Sequence, residues 1–592
     1  MKKTRKFILG MALLLMVFSF AFPAAAQVYN VGGKEVTADG FFRQEFLFNT
    51  NGNSKYNTNQ TGLNGAYQMW LVDTNLKWND NLEFRGIFRM WGDLAYYMLK
   101  DNHHWQQFYA GSERQLAWDT NWDQIVRELY FTYSTDKFLF RAGRQQVGWG
   151  EADGLRVMDV INPLDARRMF QFYDTEGYEE VRIPKLIIKT EFYPGNFWKF
   201  YDTAVELYWN PGDIKRFGDL LPPHLDAQNR PYAEWQDKYG FPFPEGAGSF
   251  QWPNDMGNQW GAWAPPTPSA PVPVRLNTKE KAFKISNSEY GTRIKLNIKD
   301  TFITLNYWRG WDTSDHEIIK SHRDPLQLGP GGPVVNSVLH PEPGLWNSPN
   351  ASGLPNFPFV AWFDKVQPRM QVVGFTLSRE LFGVGPLFCQ VPNPVLRMEG
   401  LYSINQTFNT EETVYTSIAT PGGPVQGPPG ILFKTVKRDQ IRYMVGFDWS
   451  MAIPWNPKKS TFVSGQFFHI YTRGNQFGDK NLLQLAPYDW NWPKNQYYMT
   501  LLMKTEYLNE RVCPSMLYVQ DFHTRSGWIK SKIDFKIGDH WRPQIGYLCI
   551  MANQNNSRWL PGGSPYEVRD NQESFGLFAD RDTAWVRIQY QF

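Results

Sequence analysis

The sequence predicts an all-β fold, a transmembrane antiparallel β-barrel of about 18 strands, or 16 if the weakest segments are discounted. Three observations carry the prediction. Segment after segment alternates apolar and polar residues with the period of two that belongs to a strand with one greasy and one wet face. The connections between these segments alternate between tight turns and long irregular stretches. Aromatic residues make up 16% of the chain although its mean hydropathy is −0.48. A barrel reconciles those two values, because only one face of each strand meets lipid and aromatic girdles mark both interfaces.

The first element is a targeting segment. Lys2, Lys3, Arg5 and Lys6 precede an apolar run from Phe7 to Phe22, and Pro23-Ala24-Ala25-Ala26 offers a small-residue cleavage site before Gln27. This is the pattern of a secretory signal, residues 1–26, expected to be removed on export. Its four basic residues account for the formal net charge of +3, so the remaining chain has no basic excess and nucleic-acid binding has no compositional support. No second apolar run is long enough for a membrane helix. Cys389, Cys513 and Cys549 are too few and too dispersed for a disulfide framework, a zinc site or a haem attachment. No cofactor, metal or catalytic set is called for.

Residues 27–592 then read as one barrel domain. In Leu82–Met90, Leu82, Phe84, Phe88 and Met90 oppose Glu83, Arg85 and Arg89. In Thr292–Lys299, Ile294, Leu296 and Ile298 oppose Arg293, Lys295 and Asn297. In Tyr497–Tyr507, Tyr497, Met499, Leu501 and Met503 oppose Thr500, Lys504 and Glu506. In Trp528–Ile537, Ile529, Ile533, Phe535 and Ile537 oppose Lys530, Lys532, Asp534 and Lys536. A charge on every second residue suits a water-filled lumen. Adding Lys77, Arg141, Arg397, Lys504 and Arg587 on one side and Asp73, Glu128, Glu399 and Glu506 on the other gives a basic-skewed wall, which favours anionic solutes.

Tight turns fall at Asn79-Asp80-Asn81, Ser134-Thr135-Asp136, Lys299-Asp300, Asn509-Glu510 and Gly538-Asp539. Between them lie long segments near 50–65, 99–121, 148–184, 211–286, 311–366, 409–436, 473–495 and 553–582, with a shorter one near Thr524–Gly527. Short turns on the periplasmic side and long loops outside are the asymmetry of outer-membrane barrels. The 211–286 and 311–366 loops are rich in Pro, Gly and Trp, which resists ladder formation.

The segment after the strand Lys137–Gln146 contains Arg144, Gln145, Trp149, Glu151, Asp153, Arg156, Asp159, Asn162, Asp165, Arg167 and Arg168. Glycines at 143, 148, 150 and 154 allow tight turns there, and Pro163 fixes one more. Charges of both signs are costly against lipid but pair inside a wet pore, so the segment reads as a loop folded into the lumen that constricts it. The alternative is an outer loop whose ion pairs only clasp it shut.

The chain closes on a strand in which Ala584, Val586, Ile588, Tyr590 and Phe592 oppose Trp585, Arg587, Gln589 and Gln591. A terminal aromatic of this kind resembles the C-terminal signal that the barrel assembly machinery of the outer membrane reads, with Tyr590 and Phe592 as its residues. Three elements in order, Gly143-Arg144-Gln145, Trp149-Gly150-Glu151 and Asn162-Pro163-Leu164-Asp165, also resemble an outer-membrane barrel family of Gram-negative bacteria catalogued only as a domain of unknown function. The closing run from Phe575 to Asp582 is similar as well. That resemblance implies passage of small or hydrophobic molecules and brings no catalytic residues. The reading is a passive, porin-like channel for small organic solutes in a Gram-negative outer membrane, its surroundings outer-membrane lipid and lipopolysaccharide. The alternatives are a structural or assembly barrel partnering another envelope protein or an efflux or transport system, and a membrane-embedded hydrolase built on His103-His104 or on His469 with Ser464.

Overall fold

A computed structural model describes residues 27–50, 61–98, 125–164, 178–213, 274–277, 283–313, 318–321, 324–327, 334–337, 339–341, 359–388, 390, 392–420, 423–474, 482–483, 494–523, 525–551, 557–559, 567–569 and 582–592. The targeting segment, His103-His104, Asp165, Arg167, Arg168, most of the 211–286 and 311–366 loops and residues 575–581 lie outside the described residues.

Eighteen antiparallel strands close into a ring. In chain order they are β1 Lys34–Asn49, β2 Gly62–Lys77, β3 Leu82–Asp93, β4 Val126–Thr135, β5 Phe138–Gln145 and β6 Lys185–Phe197. Then come β7 Phe200–Asn210, β8 Glu289–Ile298, β9 Thr301–Trp311, β10 Arg369–Glu380, β11 Val395–Thr420 and β12 Gly423–Ile453. The ring is completed by β13 Asn456–Thr472, β14 Asn495–Lys504, β15 Val512–Asp521, β16 Gly527–Phe535, β17 Gln544–Met551 and β18 Thr583–Gln591. Each strand pairs with its sequence neighbour, and β18 closes on β1 from Phe41↔Gln591 to Asn49↔Thr583. Closure is what a hydrocarbon environment demands, since each unsatisfied backbone group there costs several kcal/mol. No helix among the described residues is long and apolar enough to cross a membrane.

The alternation read from the sequence becomes two walls. Phe84, Phe88 and Met90 on β3, Ile545 and Tyr547 on β17, and Val586 and Ile588 on β18 are exposed outside. Arg89, Gln544, Leu548, Trp585 and Arg587 are buried inside. Interior means packed or paired within the ring; exterior means facing lipid, where exposed apolar side chains are at their lowest free energy.

Three expectations about the connections are corrected. The 409–436 stretch is not irregular: β11 and β12 stay paired out to Thr420↔Gly423. The β-branched run Thr410, Thr413, Val414, Thr416 and Ile418 favours extended backbone and prevails over the prolines opposite it. At about 3.4 Å per residue these strands far exceed a hydrocarbon band about 25 Å tall, so the hairpin projects beyond the membrane. The two Pro/Gly/Trp-rich loops also form ladders. Ile318–Ser321 and Leu339–Pro341 flank Phe359–Val366, which pairs in parallel with Val274–Asn277 from the other loop. Local composition misled because these short strands are held by pairing between loops rather than by their own propensity. Finally, Lys536 and Glu506 belong to the short turns and not to the inner wall, because β16 and β14 end at Phe535 and Lys504.

Candidate functional site

The segment between β5 and β6 lies against inward-facing side chains of the ring. It leaves β5 through Gly143, whose φ of +138° and tight approach to Tyr130 exclude a side chain. Val147, Trp149, Val157, Met158, Val160 and Ile161 then form a buried apolar cluster with Ile187 of β6, Tyr208 of β7, Trp308 of β9, Met370 and Val372 of β10, Leu401 of β11, Met444 of β12 and Phe468 of β13. A turn at Asp153 and Gly154 carries the tip to β14, where a methyl on Gly154 would run into the Thr500 side chain.

Polar groups fix this path. The Trp149 indole N–H donates to Glu206 Oε1 at 2.7 Å. The Glu399 carboxylate accepts the backbone N–H of Glu151 and, at 3.0 Å, that of Met158. Arg397 donates to the Glu151 carbonyl at 2.6 Å and pairs with Asp153 and Asp448. Gln466 donates to Asp153 Oδ2 at 2.7 Å. Asn162 staples the two limbs together: its Oδ1 accepts the Val147 N–H and its Nδ2 donates to the Ile183 carbonyl, both at 2.8 Å. Arg182 of the return limb pairs with Asp159 of the outgoing limb at 2.8 Å.

The return limb holds the opposite wall. Arg43 of β1 pairs with Glu180 at 3.1 Å, Arg89 of β3 donates to the Glu180 carbonyl at 2.7 Å, and Arg127 of β4 donates to the Arg182 carbonyl at 2.6 Å. A bulge, where Ile87 faces Glu128 and Phe88 faces Val126, turns Arg127 inward. The segment thereby touches both sides of the ring.

Gln145, Trp149, Glu151, Asp153, Arg156, Asp159 and Asn162 are brought together here. Arg144 is not. It stands opposite Leu129 and Leu186, both exposed on the outer wall, because one residue of parity separates it from the inward Gln145. Arg156 is buried and spends its guanidinium on the Asp159 and Asn162 carbonyls, so it braces the segment instead of lining open space.

Glu83, Arg85, Arg89, Arg293, Lys295, Arg397, Glu399, Lys530, Lys532 and Asp534 lie on the inner wall, as their registers place them. Their basic excess, however, is offset by carboxylates on the same wall, among them Glu45, Glu191, Glu206 and Glu289, which the parity count above does not include. Arg587 pairs with Glu45 at 2.8 Å and Lys185 with Glu289 at 2.9 Å, all four side chains buried. Lys189 and Lys295 share Glu191, and Lys295 also reaches Glu206. Arg85 holds Asp73, and Lys532 holds Asp534. Parity in Phe41–Leu47 and Lys185–Glu191 was the signal available for Arg43, Glu45, Lys185, Lys189 and Glu191. The bulged Arg127 had none.

The hydrolase candidates do not assemble: Ser464 is inside beside Arg397, whereas His469 stacks on the outward Tyr497. Among the described residues no group of three His, Cys, Asp or Glu side chains could hold a metal ion.

A closed ring of eighteen antiparallel strands with an apolar exterior, a charged interior and a chain segment packed within is the architecture of a transmembrane β-barrel. The family described as a protein of unknown function (DUF1302) matches residues 8–592, and the chain belongs to that family. No curated protein matches. Among solved structures it is similar to OmpF of Salmonella typhi in complex with daunomycin, at 9% identity over 95% of this chain and 99% of that one, TM-score 0.34. OccAB1 of Acinetobacter baumannii aligns at 7% identity over 96% and 98%, TM-score 0.38. The outer membrane protein opdK of Pseudomonas aeruginosa aligns at 6% over 94% and 98%, TM-score 0.39. Superposition this loose carries no functional argument.

Proposed function

We propose that the protein is a passive outer-membrane channel for small organic solutes, with the 146–184 segment as its constriction. The observation that carries the proposal is the attachment of this segment to both walls, through Glu399 and Arg397 on β11 and through Arg43, Arg89 and Arg127 on β1, β3 and β4. A strand-to-strand loop that merely capped the barrel would need none of these inward partners. Asp153, more than half exposed at the tip, faces the remaining passage.

Because the described inner-wall cations largely sit beside carboxylates, solute size and local polarity set passage more than net charge does. This replaces the anion preference expected from counting lysines and arginines. No chemistry on the solute is part of the proposal.

Liposome swelling with similarly sized anionic, neutral and cationic organic solutes tests it. Comparable rates are expected, and Glu399→Ala, which releases two backbone N–H groups of the segment, should raise all three. Impermeable liposomes containing folded protein would overturn the channel. A strong preference for one charge would overturn the balanced-wall reading alone.

A further inference from the structure

The outer surface at the long-connection end of β12–β14 carries a feature that neither barrel closure nor the constriction uses. Register places Ile441 and Tyr443 of β12, His469 and Tyr471 of β13, and Asn495 and Tyr497 of β14 side by side on the lipid-facing wall. Tyr443 and Tyr497 are exposed there, and His469 lies flat on Tyr497 with centroids 4.6 Å apart and meets Tyr443 edge-on at 5.1 Å. Its Nε2 is 2.9 Å from Asn495 Oδ1. This is an aromatic belt of the kind that marks a membrane interface.

Cations stand directly above the belt. Arg473 continues the outward face of β13 and is 73% exposed; its Nη1 comes only within 3.6 Å of Asp439. Lys437, two residues beyond Asp439 on the same face of β12, is exposed. Lys494 is drawn outward, its Nζ 5.7 Å from the Tyr471 ring centre. Asp439 is the acidic group among them, and it is already engaged by the Tyr402 hydroxyl at 2.8 Å and the Asn405 N–H at 2.9 Å. Arg438 falls on the inner face opposite Gln406 and takes no part. Below the belt, Phe447 and Phe467 are exposed and apolar.

From the rim inward to the membrane, the wall therefore runs cationic, aromatic, apolar. We propose that this strip binds the phosphorylated glucosamine headgroup of lipopolysaccharide, with Arg473, Lys437 and Lys494 on a lipid A phosphate, the sugar over the Tyr443–His469–Tyr497 stack, and acyl chains along Phe447 and Phe467. Phosphate takes charge-assisted hydrogen bonds from Arg and Lys, and their strength rises at an interface poorer in water. The strip faces lipid and not the lumen, so it does not serve solutes entering the channel. The end bearing the long loops is the one in the outer leaflet, where this glycolipid resides. The inference rests on outer-membrane placement and not on the channel reading.

The test uses the full-length protein in detergent, titrated with purified lipid A and with its dephosphorylated form, following thermal unfolding. Lipid A should raise the unfolding temperature of the native protein. Dephosphorylated lipid A should bind at least tenfold more weakly. The variant Lys437→Glu/Arg473→Glu/Lys494→Glu should lose the same tenfold while keeping native single-channel conductance. The milder Arg473→Gln/Lys494→Gln pair provides the same comparison if charge reversal impairs folding. Equal binding of both lipids by the native protein, or undiminished lipid A binding by the folded variants, would overturn the proposal. So would a variant that alters anion flux but not lipid binding, since the cations would then serve the channel mouth.

Discussion

Asn162 does more to shape the segment than any charge on it. One side chain accepts the N–H that starts the outgoing limb and donates to the carbonyl that ends the return limb, within a buried environment. Replacing it with Leu leaves two buried backbone groups unsatisfied at about 1–3 kcal/mol each. The expected outcome is a barrel that still assembles but whose segment is cut faster by protease between residues 147 and 164. Unchanged cleavage would mean that the apolar cluster alone holds the limbs. Gly154 is the matching steric position: Gly154→Val drives a side chain into Thr500 and should lift the tip off β14, raising single-channel conductance. The residue scale is also where sequence reading is weakest. Arg144 and Gln145 are adjacent polar residues, yet parity sends one to the lipid-facing wall and the other inside. Glu399 was legible as an inward strand residue, but its role depends on backbone donors some 240 positions away in the chain.

At the scale of elements, the strands were legible because each one carries its own evidence: period-two alternation plus turn residues at the short end. The alternating loop lengths were equally local, and they pointed to about eighteen strands with sixteen left open. What was not legible is pairing between distant segments. The β11–β12 ladder beyond the membrane and the parallel contact of Val274–Asn277 with Ala361–Asp364 arise from partners that no window of sequence contains. Trimming residues 410–433 to a short turn should leave assembly and conductance intact, because the ring is already complete below Gln406↔Arg438. Loss of folding on trimming would show the hairpin to be part of the barrel's stability. The closing strand is different. Phe592 exchanges two backbone hydrogen bonds with Gly40, each at 3.0 Å, next to the β1–β18 seam. Deleting it, or replacing it with Asp, should lower the amount of assembled barrel several-fold while export continues; normal heat-modifiable migration of the variant would contradict this.

In the whole molecule, alternation along each strand makes two walls, the walls close into a ring, and a chain segment packs against the ring's interior. The short turns face the periplasm in this account, so tags placed in the 211–286 or 311–366 loops should be reached by antibody on intact cells and a tag at Asp80 should not; the reverse pattern would invert the barrel. The central claim is that the tip of the 146–184 segment borders the conducting path. It is tested most directly by single-channel recording of Asp153→Cys in a background lacking Cys389, Cys513 and Cys549, before and after adding a bulky thiol-reactive reagent. A stepwise fall in current is expected as position 153 is modified, while a Lys299→Cys control in a short turn is silent. Complete labelling of position 153 with no change in current would contradict it.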